Sequence, residues 1–403
     1  MVPFSQPNSG DIFREYAWTT PDSLGFEKFI RVCGDGVYYD HADKSRHVFP
    51  VEFEHDGWFT LPGNLDLNEA VKVEVVVERM LCHDGSTGLA IKFNSGQWYE
   101  FPDADSIPYP QSDYLYHYYP LVKIPLEDLK TGPSENKFRF KINPSQRWGM
   151  PQNLVYGMII RVYYKNTKPH VNAHISTIKE GDQLSENVNL NIQANKPFHK
   201  VEYVGLMKDI NYEGDGKFYQ WHYHYHRGKL INHIGTSSTG EFLWNTEWLP
   251  DQEFPIQISA RVTDNNGIIF MTNPVKELTL NRKYKVVLCQ SLNVPKAWTT
   301  REKEFIQEFN VNNPQKVERF IITAVTWGPD YLNGVFLNDF VILDREACRY
   351  CYHILKHEYF TPEFLKETNT IKTGKTPLYN NKLVHGCEIQ YPGFMVLVRY
   401  FPD

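Results

Sequence analysis

The chain has 403 residues, of which 41% are hydrophobic and 22% are charged, and its net charge is −6 at pH 7. A chain of this length exceeds what one hydrophobic core usually organises, so we expect two or three domains. The acidic balance argues against nucleic acid as the main partner, because the chain has no general basic field to neutralise phosphates. Aromatic residues make up 15% of the chain, which favours β-strands.

Targeting and cofactor motifs are sparse. No apolar run approaches the ~18 residues of a transmembrane helix, and residues 1–6 lack the pattern of a signal peptide. We therefore expect a soluble protein with no membrane partner, secreted only if a signal was removed, and the compartment is left open. Walker, Gly-x-Gly-x-x-Gly and Gly-x-Ser-x-Gly motifs are missing, so no nucleotide or flavin is expected. The CxxC pair Cys348 and Cys351 has no second pair to complete a zinc site.

The chain reads as short strands along most of its length. Alternating or apolar runs recur about every 8–15 residues, separated by Gly, Pro, Asn and Asp, which is typical of all-β proteins. Residues 71–78, 89–93 and 155–164 are clear predicted strands. Helical periodicity is confined to residues 300–309 and 362–367, and the second of these predicts a single turn.

Two polar segments, at residues 165–169 and 281–283, each follow one predicted strand and precede another. Such segments are typical domain linkers. They divide the chain into residues 1–167, 168–281 and 282–403, which we call the first, middle and third segments.

The first and third segments look like diverged copies of one another. Each has a long apolar strand, a shorter strand that ends in Asn, a Tyr-His pair and a Leu-Lys pair at equal spacing. The paired histidines are His117 and His353, and a position repeated in this way indicates a repeated packing need. The paired Leu-Lys steps begin at Leu129 and Leu365.

This order of features resembles the galactose-binding-like jelly roll, a module that flanks many carbohydrate-active enzymes. Its usual Leu-x-x-Gly-x-Asn signature appears in altered form at residues 129–136, where it is longer, and at residues 365–371, where the Gly is missing. The resemblance implies a β-sandwich fold for both outer segments. It also implies carbohydrate as a ligand class, although some such modules merely pack against their neighbours.

The middle segment resembles the immunoglobulin-like sandwich found inside glycosidases and polysaccharide lyases. The residues that carry the resemblance are 201–205, 242–251 and 256–267, the last of which predicts a strand, a turn and a closing strand at 268–271. The fold class predicted for the whole chain is all-β, with three consecutive β-sandwich domains: jelly roll, immunoglobulin-like, jelly roll.

The middle segment also carries a histidine-rich stretch at residues 221–228. In a strand, His222, His224 and His226 share one face, and Tyr223 and Tyr225 share the other. His-x-His on a strand suits zinc, copper or iron, and His233 lies close beyond the Gly228 turn. The same pattern fits a metal-free catalytic cleft, or an ordinary polar face whose histidines bond to their neighbours. If the segment is bulged, His222, His226 and His233 group instead.

A carboxylate-rich loop precedes the histidines. Asp209, Asn211, Glu213 and the following Gly214 fit the first half of a calcium loop, in which alternating oxygens surround a hard cation. Glu213 is longer than the acid usual at its position, and Gln220 stands where a bidentate Glu is expected. A plain turn that caps a hairpin is the alternative. Zinc or calcium is the cofactor that the ligands of residues 209–233 predict.

These residues point to carbohydrate chemistry as the function. His226 and Tyr223 are candidate catalytic residues, because a lyase needs a His or Tyr base beside a cation that neutralises a uronate. Glu213 and Asp215 are candidates as carboxyl groups close in sequence to the histidines. A hydrolase needs two carboxyl groups across a cleft, which the sequence alone does not define. The prediction is a polysaccharide or oligosaccharide hydrolase or lyase with its site near residues 209–233. The alternatives are a non-catalytic glycan-binding protein and a metal-dependent enzyme that acts on a non-sugar small molecule.

Overall fold

The computed structural model describes residues 6–20, 29–33, 36–39, 58–61, 63–81, 88–103, 116–132, 136–142, 153–293, 304–327, 332–343, 352–359, 361–374, 387–390 and 392–402. These residues form mostly antiparallel β-sheets, which confirms the all-β prediction. Helical structure among them is limited to 3-10 turns at Leu126–Asp128, Pro314–Lys316 and Pro362–Phe364. None of the described helices is long and apolar enough to cross a membrane.

The first segment packs two sheets around an aromatic core. Its strands are β1 (Ile12–Thr19), β2 (Ile30–Cys33), β3 (Gly36–Tyr39), β4 (Phe59–Thr60), β5 (Ala70–Leu81), β6 (Ala90–Phe93), β7 (Trp98–Glu100), β8 (Tyr116–Tyr118), β9 (Leu121–Ile124), β10 (Lys137–Lys141) and β11 (Asn153–Tyr164). Strands β5 and β11 pair along most of their length, and β4-β10-β6-β7 form the facing sheet. Trp18 of β1 contacts Phe59 and Phe138 of that sheet at ring distances of 5.0 and 5.1 Å. Buried aromatic area of this kind is the main source of stability between packed sheets.

The middle segment continues the larger of these sheets. Its strands are β12 (Ala173–Ile175), β13 (Gln183–Leu184), β14 (Asn187–Leu190), β15 (Ile192–Ala194), β16 (Phe198–Lys208), β17 (Tyr219–Trp221), β18 (Tyr223–His226), β19 (Lys229–Asn232), β20 (Gly235–Ser237), β21 (Phe242–Asn245), β22 (Ile256–Asp264), β23 (Ile269–Met271) and β24 (Val275–Leu280). The predicted strand, turn and closing strand are β22, a turn with Gly267 at φ +80°, and β23. Phe13 of β1 pairs with Ile269 of β23, so one 14-stranded sheet runs through both segments in the described part of the chain. The domain boundaries at 167 and 281 stay predictions.

The third segment repeats the strand order of the first. Its strands are β25 (Val286–Cys289), β26 (Ser291–Asn293), β27 (Phe305–Asn310), β28 (Val317–Trp327), β29 (Val335–Leu337), β30 (Phe340–Leu343), β31 (Tyr352–Tyr359), β32 (Thr368–Thr373), β33 (Glu388–Ile389) and β34 (Met395–Tyr400). In one sheet of the third segment the strand order β25-β34-β28-β31 corresponds to β1-β11-β5-β8. In the facing sheet the order β27-β32-β29-β30 corresponds to β4-β10-β6-β7. Residue His353 pairs in register with Thr326, as His117 does with Met80.

A matching pair of buried asparagines supports the repeat at atomic detail. Asn136 accepts from Lys130 N at 2.8 Å, donates to Lys130 O at 2.8 Å, and accepts from Asn94 Nδ2 at 3.0 Å. Asn369 makes the same three bonds with Lys366 and Asn338, at 2.7, 2.6 and 2.8 Å. Both asparagines are fully buried, so the Asn of the altered signature closes the same loop in each copy.

One element differs from its prediction. Residues 300–309 are predicted helical, but β27 is a strand over Phe305–Asn310, and residues 300–303 lie outside the described residues. Phe305, Gln307 and Phe309 alternate as buried positions, and Phe309 pairs with Asn369 across the sheet. The alternation has a period of two, which a strand satisfies and a helix does not. The single turn predicted over 362–367 is confirmed as the 3-10 turn Pro362–Phe364. Cys348 and Cys351 lie outside the described residues.

Candidate functional site

The histidine-rich stretch forms a tight hairpin. Strand β18 pairs with β19 from Tyr223↔Asn232 to His226↔Lys229, and Arg227 and Gly228 turn the chain at φ +47° and +71°. Two consecutive positive φ values are typical of the two-residue turn that matches strand twist. The histidine and tyrosine faces separate as the alternation predicts. Tyr223 is buried in a cluster with Phe13 and Tyr163, on the side opposite the histidines.

Two glycines let this hairpin approach the first segment closely. A Cβ on Gly157 of β11 lies 3.1 Å from Gly228 N and 2.9 Å from Trp18 O. Both contacts are with backbone atoms, which have little freedom to move. The glycine pair therefore sets the distance between the histidine hairpin and strand β11.

The first cluster of titratable groups surrounds Glu213, which is buried. Its Oε1 lies 3.5 Å from His233 Nε2, and its Oε2 lies 3.1 Å from His222 Nδ1. The Nε2 of His233 is also 3.4 Å from Nδ1 of His224. His222 Nε2 lies 3.1 Å from the carbonyl of Phe218, so both nitrogens of His222 are engaged.

Burial and proximity fix the charges in this cluster. Burial opposes the charge on Glu213, but the attraction of His222 outweighs it, and the pKa of Glu213 lies well below its usual value. Burial likewise opposes the His222 cation, yet Glu213 raises the pKa of His222 to about 9. Burial, aided by the neighbouring His233, lowers the pKa of His224 to about 3. The cluster therefore holds one charged pair beside a neutral imidazole.

A second cluster surrounds Glu78 of β5, whose side chain is 1% exposed. Its Oε1 lies 2.8 Å from His226 Nδ1 and 3.5 Å from His117 Nε2. Its Oε2 accepts a hydrogen bond from the backbone N–H of Arg227 at 2.6 Å. Burial favours the protonated acid, but the bonds from His117 and His226 lower the pKa of Glu78 to about 2. The His226 side chain is 30% exposed, so this carboxylate holds a histidine that reaches solvent.

All three segments meet at the two clusters. His117 of the first segment donates its backbone N–H to Gly214 O at 2.7 Å. Its Nδ1 lies 3.0 Å from Oε1 of Gln390 in the third segment. A Cβ on Gly214 would lie 2.5 Å from the same Gln390 oxygen and 3.2 Å from Val325. The loop that carries Glu213 is thus packed between the first and third segments.

The oxygens of the loop at residues 209–216 mostly cap its own backbone. Asn211 Oδ1 accepts from Asp215 N at 3.0 Å and Gly216 N at 2.7 Å. Asp209 Oδ1 accepts from the next backbone N–H, and Asp215 Oδ1 accepts from Gln220 Nε2 at 3.1 Å. Burial, followed by repulsion from Glu213, raises the pKa of Asp215 to about 6. The calcium interpretation of this loop stays a prediction.

Two residues of the site, Glu78 and His117, are not predicted as site residues from the sequence. Glu78 ends a predicted Val-rich strand, and a charged residue in an apolar run buried on both faces is the signal that points to it. His117 is recognised from the repeat but interpreted as a packing residue. Neither is close in sequence to the histidine hairpin, so only the pairing of β5 with β8 and β11 brings them to it.

A second surface of interest lies on the outer face of the sheet β4-β10-β6-β7. Register pairs Arg139 with Lys92, and Lys92 with Trp98. Arg139 Cζ lies 5.5 Å from the Trp58 ring and 6.0 Å from the Trp98 ring. We call Trp58, Arg139, Lys92 and Trp98 the tryptophan row. It crosses four strands and therefore spans about 14 Å at the usual strand spacing.

No protein-family model matches the chain, and neither does any curated protein. The solved structure of wild-type BuGH86 in complex with neoagarooctaose matches 58% of this chain at 11% identity and a TM-score of 0.24. The match covers 34% of BuGH86, so this chain spans about a third of that protein. The ANX1 ectodomain from Arabidopsis thaliana matches 96% of this chain and 97% of its own, at 8% identity and a TM-score of 0.20.

Proposed function

We propose that the protein is a carbohydrate-active enzyme that cleaves an acidic polysaccharide by β-elimination, with His226 as the base. The observation that carries this proposal is the His226 imidazole, 30% exposed, held 2.8 Å from the buried Glu78 carboxylate. The carbohydrate class is supported by the resemblance of the outer segments to galactose-binding-like jelly rolls. It is also supported by the tryptophan row, whose flat rings suit sugar faces.

The Glu78 contact assigns the tautomer of His226. A carboxylate accepts only, so Nδ1 of His226 carries the proton and donates to Oε1 of Glu78. The second nitrogen, Nε2, is then the basic one. A carboxylate that orients an imidazole in this way, and stabilises the imidazolium when it forms, is a recurrent arrangement in enzymes with a histidine base. Arg227, the next residue in the chain, supplies the positive charge that a uronate carboxylate requires, and its Nη2 donates to the carbonyl of Thr20 at 3.4 Å.

The chemistry requires one base and one neutralising cation. His226 Nε2 takes the proton α to the sugar carboxylate. The electron pair of that C–H bond forms the new C=C bond, and the β C–O bond to the leaving sugar breaks. The leaving oxygen takes up a proton, which the His226 imidazolium returns. No oxidant or other reactant is needed.

Hydrolysis has less support from the buried carboxylates. A glycoside hydrolase needs two carboxyl groups that face the sugar, one of them as a proton donor. Glu78 and Glu213 are 2% exposed, and both are occupied by histidines. Their pKa values lie below the usual range, which is the wrong direction for a general acid at neutral pH.

The test compares wild type with His226→Gln on a panel of uronate-containing polysaccharides. Product is followed by the ultraviolet absorbance of the unsaturated sugar that elimination creates. We expect the variant to lose at least ~100-fold in rate, the lower bound for removal of a general base. His174→Gln, at an exposed position of β12, is the matched control and keeps the wild-type rate. Equal rates for wild type and His226→Gln, or products with saturated ends only, contradict the proposal.

A second candidate function is glycan binding without chemistry, and the tryptophan row favours it. Its two rings are stacking surfaces, and Arg139, Lys92 and the neighbouring Lys141 are cations suited to carboxylate or sulfate groups. Lys141 Nζ lies 4.6 Å from the Trp98 ring. Affinity electrophoresis in gels that contain acidic or neutral polysaccharide measures this binding. We expect Trp98→Ala to abolish retardation by the acidic polymer, and Leu243→Ala, at an exposed site of the middle segment, to leave it unchanged.

A further inference from the structure

We propose that Glu213, His224 and His233 bind one zinc ion. One donor atom from each residue lies within 4.8 Å of the other two. Two imidazoles and one carboxylate are a donor set typical of zinc sites in which water or substrate holds the fourth position. The site is distinct from the His226–Glu78 pair, so this proposal stands or falls independently of the lyase proposal.

Two of the three donor spacings match a tetrahedral ion, and the third, between Glu213 and His224, is within 4.8 Å. Zinc–nitrogen and zinc–oxygen bonds of about 2.0–2.1 Å, opened to the tetrahedral angle, put neighbouring donor atoms about 3.4 Å apart. His233 Nε2 lies 3.4 Å from His224 Nδ1 and 3.5 Å from Glu213 Oε1. The two imidazole centroids are 5.4 Å apart, and their ring planes differ by 23°. An octahedral ion with bonds of about 2.1 Å needs shorter edges, of about 3.0 Å.

Three of the four other predicted ligands are engaged elsewhere. His226 is held by Glu78 at 2.8 Å. His222 has Nδ1 on Glu213 and Nε2 on the carbonyl of Phe218. Asn211 Oδ1 accepts two backbone N–H groups of its own loop. His224 and His233 face each other instead, and two facing imidazole nitrogens make at best one hydrogen bond of 3.4 Å between them.

The surroundings keep the three donors in position, as outer contacts do in zinc proteins. His222 Nδ1 lies 3.1 Å from Oε2 and 3.2 Å from Oε1 of Glu213, so it holds the carboxylate at both oxygens. The ring of Tyr212 stacks on His233 at 4.3 Å and 9°. Tyr119 donates its hydroxyl to the backbone carbonyl of Glu213 at 3.5 Å and packs its ring against His224. A ligand set held from several elements binds with less loss of side-chain freedom.

The donor types select zinc over calcium. Calcium takes six to eight oxygen ligands, whereas two of the three donors here are imidazole nitrogens. Of the oxygens in the loop at residues 209–216, Asn211 Oδ1 is used by backbone N–H groups. The inference therefore narrows a broad zinc-or-calcium prediction to one ion and three ligands.

The experiment measures metal content and metal affinity of the untagged 403-residue chain. The protein is purified without added metal, analysed for zinc by mass spectrometry, stripped with a chelator, and titrated with Zn²⁺ and Co²⁺. We expect one equivalent of zinc per chain, nanomolar or tighter affinity, and the intense visible spectrum of tetrahedral cobalt. Glu213→Gln, His224→Gln and His233→Gln should each weaken zinc binding by more than the ~100-fold expected for loss of an outer-shell partner. The control His226→Gln should bind zinc as wild type does.

Folding is monitored so that each outcome is decisive. Near-ultraviolet circular dichroism checks the ligand variants. If a variant is misfolded, the stripped wild type decides, because zinc that binds the folded state must raise its melting temperature. A stripped protein whose melting temperature does not respond to Zn²⁺ overturns the proposal. Equal zinc affinity in wild type and His224→Gln overturns it as well, because the metal then binds elsewhere.

Discussion

Replacement of Glu78 by Gln tests how strongly the buried carboxylate holds the histidine pair. Gln keeps the volume of the side chain but removes the charge. Its amide has one acceptor oxygen, whereas Glu78 accepts from His226 Nδ1 and from the Arg227 backbone N–H through two oxygens. The amide NH2 therefore faces at least one donor, and His226 is pushed towards its other tautomer. We expect loss of both stability and base function.

The size of the stability effect follows from the pKa of Glu78. Its value falls from 4.5 to about 2 in the folded protein, and at about 1.4 kcal/mol per pKa unit this corresponds to about 3 kcal/mol. Because the folded pKa is the lower one, this stability is fully present above pH 4.5 and is lost as the pH falls towards 2. Glu78→Gln should thus be about 3 kcal/mol less stable at neutral pH, and its stability should change less between pH 4.5 and 2.

Urea unfolding followed by tryptophan fluorescence at several pH values measures both quantities. Glu100→Gln is the matched control, since Glu100 is exposed on β7 of the same segment, and surface changes of this kind stay within about 0.5 kcal/mol. If Glu78→Gln is as stable as Glu100→Gln at neutral pH, the carboxylate does not hold the cluster and the reasoning is wrong. An unchanged acid dependence refutes it as well.

Three further predictions concern the framework of the site. Asn136→Ala and Asn369→Ala should each lower the free energy of unfolding by about 2–4 kcal/mol, because each leaves buried backbone groups without their hydrogen-bond partner. Denaturant unfolding measures both variants, and an effect in one copy alone contradicts equivalent roles. Gly157→Ala should lower the free energy of unfolding by about 1–3 kcal/mol, because its methyl group overpacks against backbone atoms. It should also move the hairpin and so reduce the proposed lyase activity; full activity contradicts this. Tyr225→Phe removes the hydrogen bonds of the Tyr225 hydroxyl with Glu15 and Arg161 and should lower the free energy of unfolding by about 1–3 kcal/mol. The zinc content of this variant, measured by elemental analysis, should equal that of wild type.

Local pattern predicts most of the fold. The periodicity of two along β5 and β22 and the glycine-rich turns give the all-β class, and the equal spacing of the Tyr-His and Leu-Lys pairs gives the repeat. The helical prediction is wrong over residues 305–309 because their charged positions also fit a helix, and pairing with β26 and β32 selects the extended form. The single sheet that joins β1 to β23 is a long-range pairing that no local pattern records.

In the candidate site, too, local sequence pattern predicts some features and long-range packing decides the others. Alternation predicts that His224 and His226 share a face opposite Tyr223, and the structure agrees. It gives no means to tell that the two histidines serve different carboxylates. His226 meets Glu78, which lies 148 positions away in sequence, and His117 meets Gln390, 273 positions away. Such partners depend on how the segments pack, so a sequence reveals them only after the fold is known.

The central claim is that His226, held by Glu78, acts as a base on an acidic carbohydrate. The most direct measurement is the initial rate of unsaturated-sugar formation by wild type, His226→Gln and His174→Gln on the same uronate polysaccharide. The account predicts turnover by wild type and His174→Gln and a loss of at least ~100-fold in His226→Gln. Turnover by His226→Gln at the wild-type rate, or no elimination product from wild type on any uronate polymer, contradicts it.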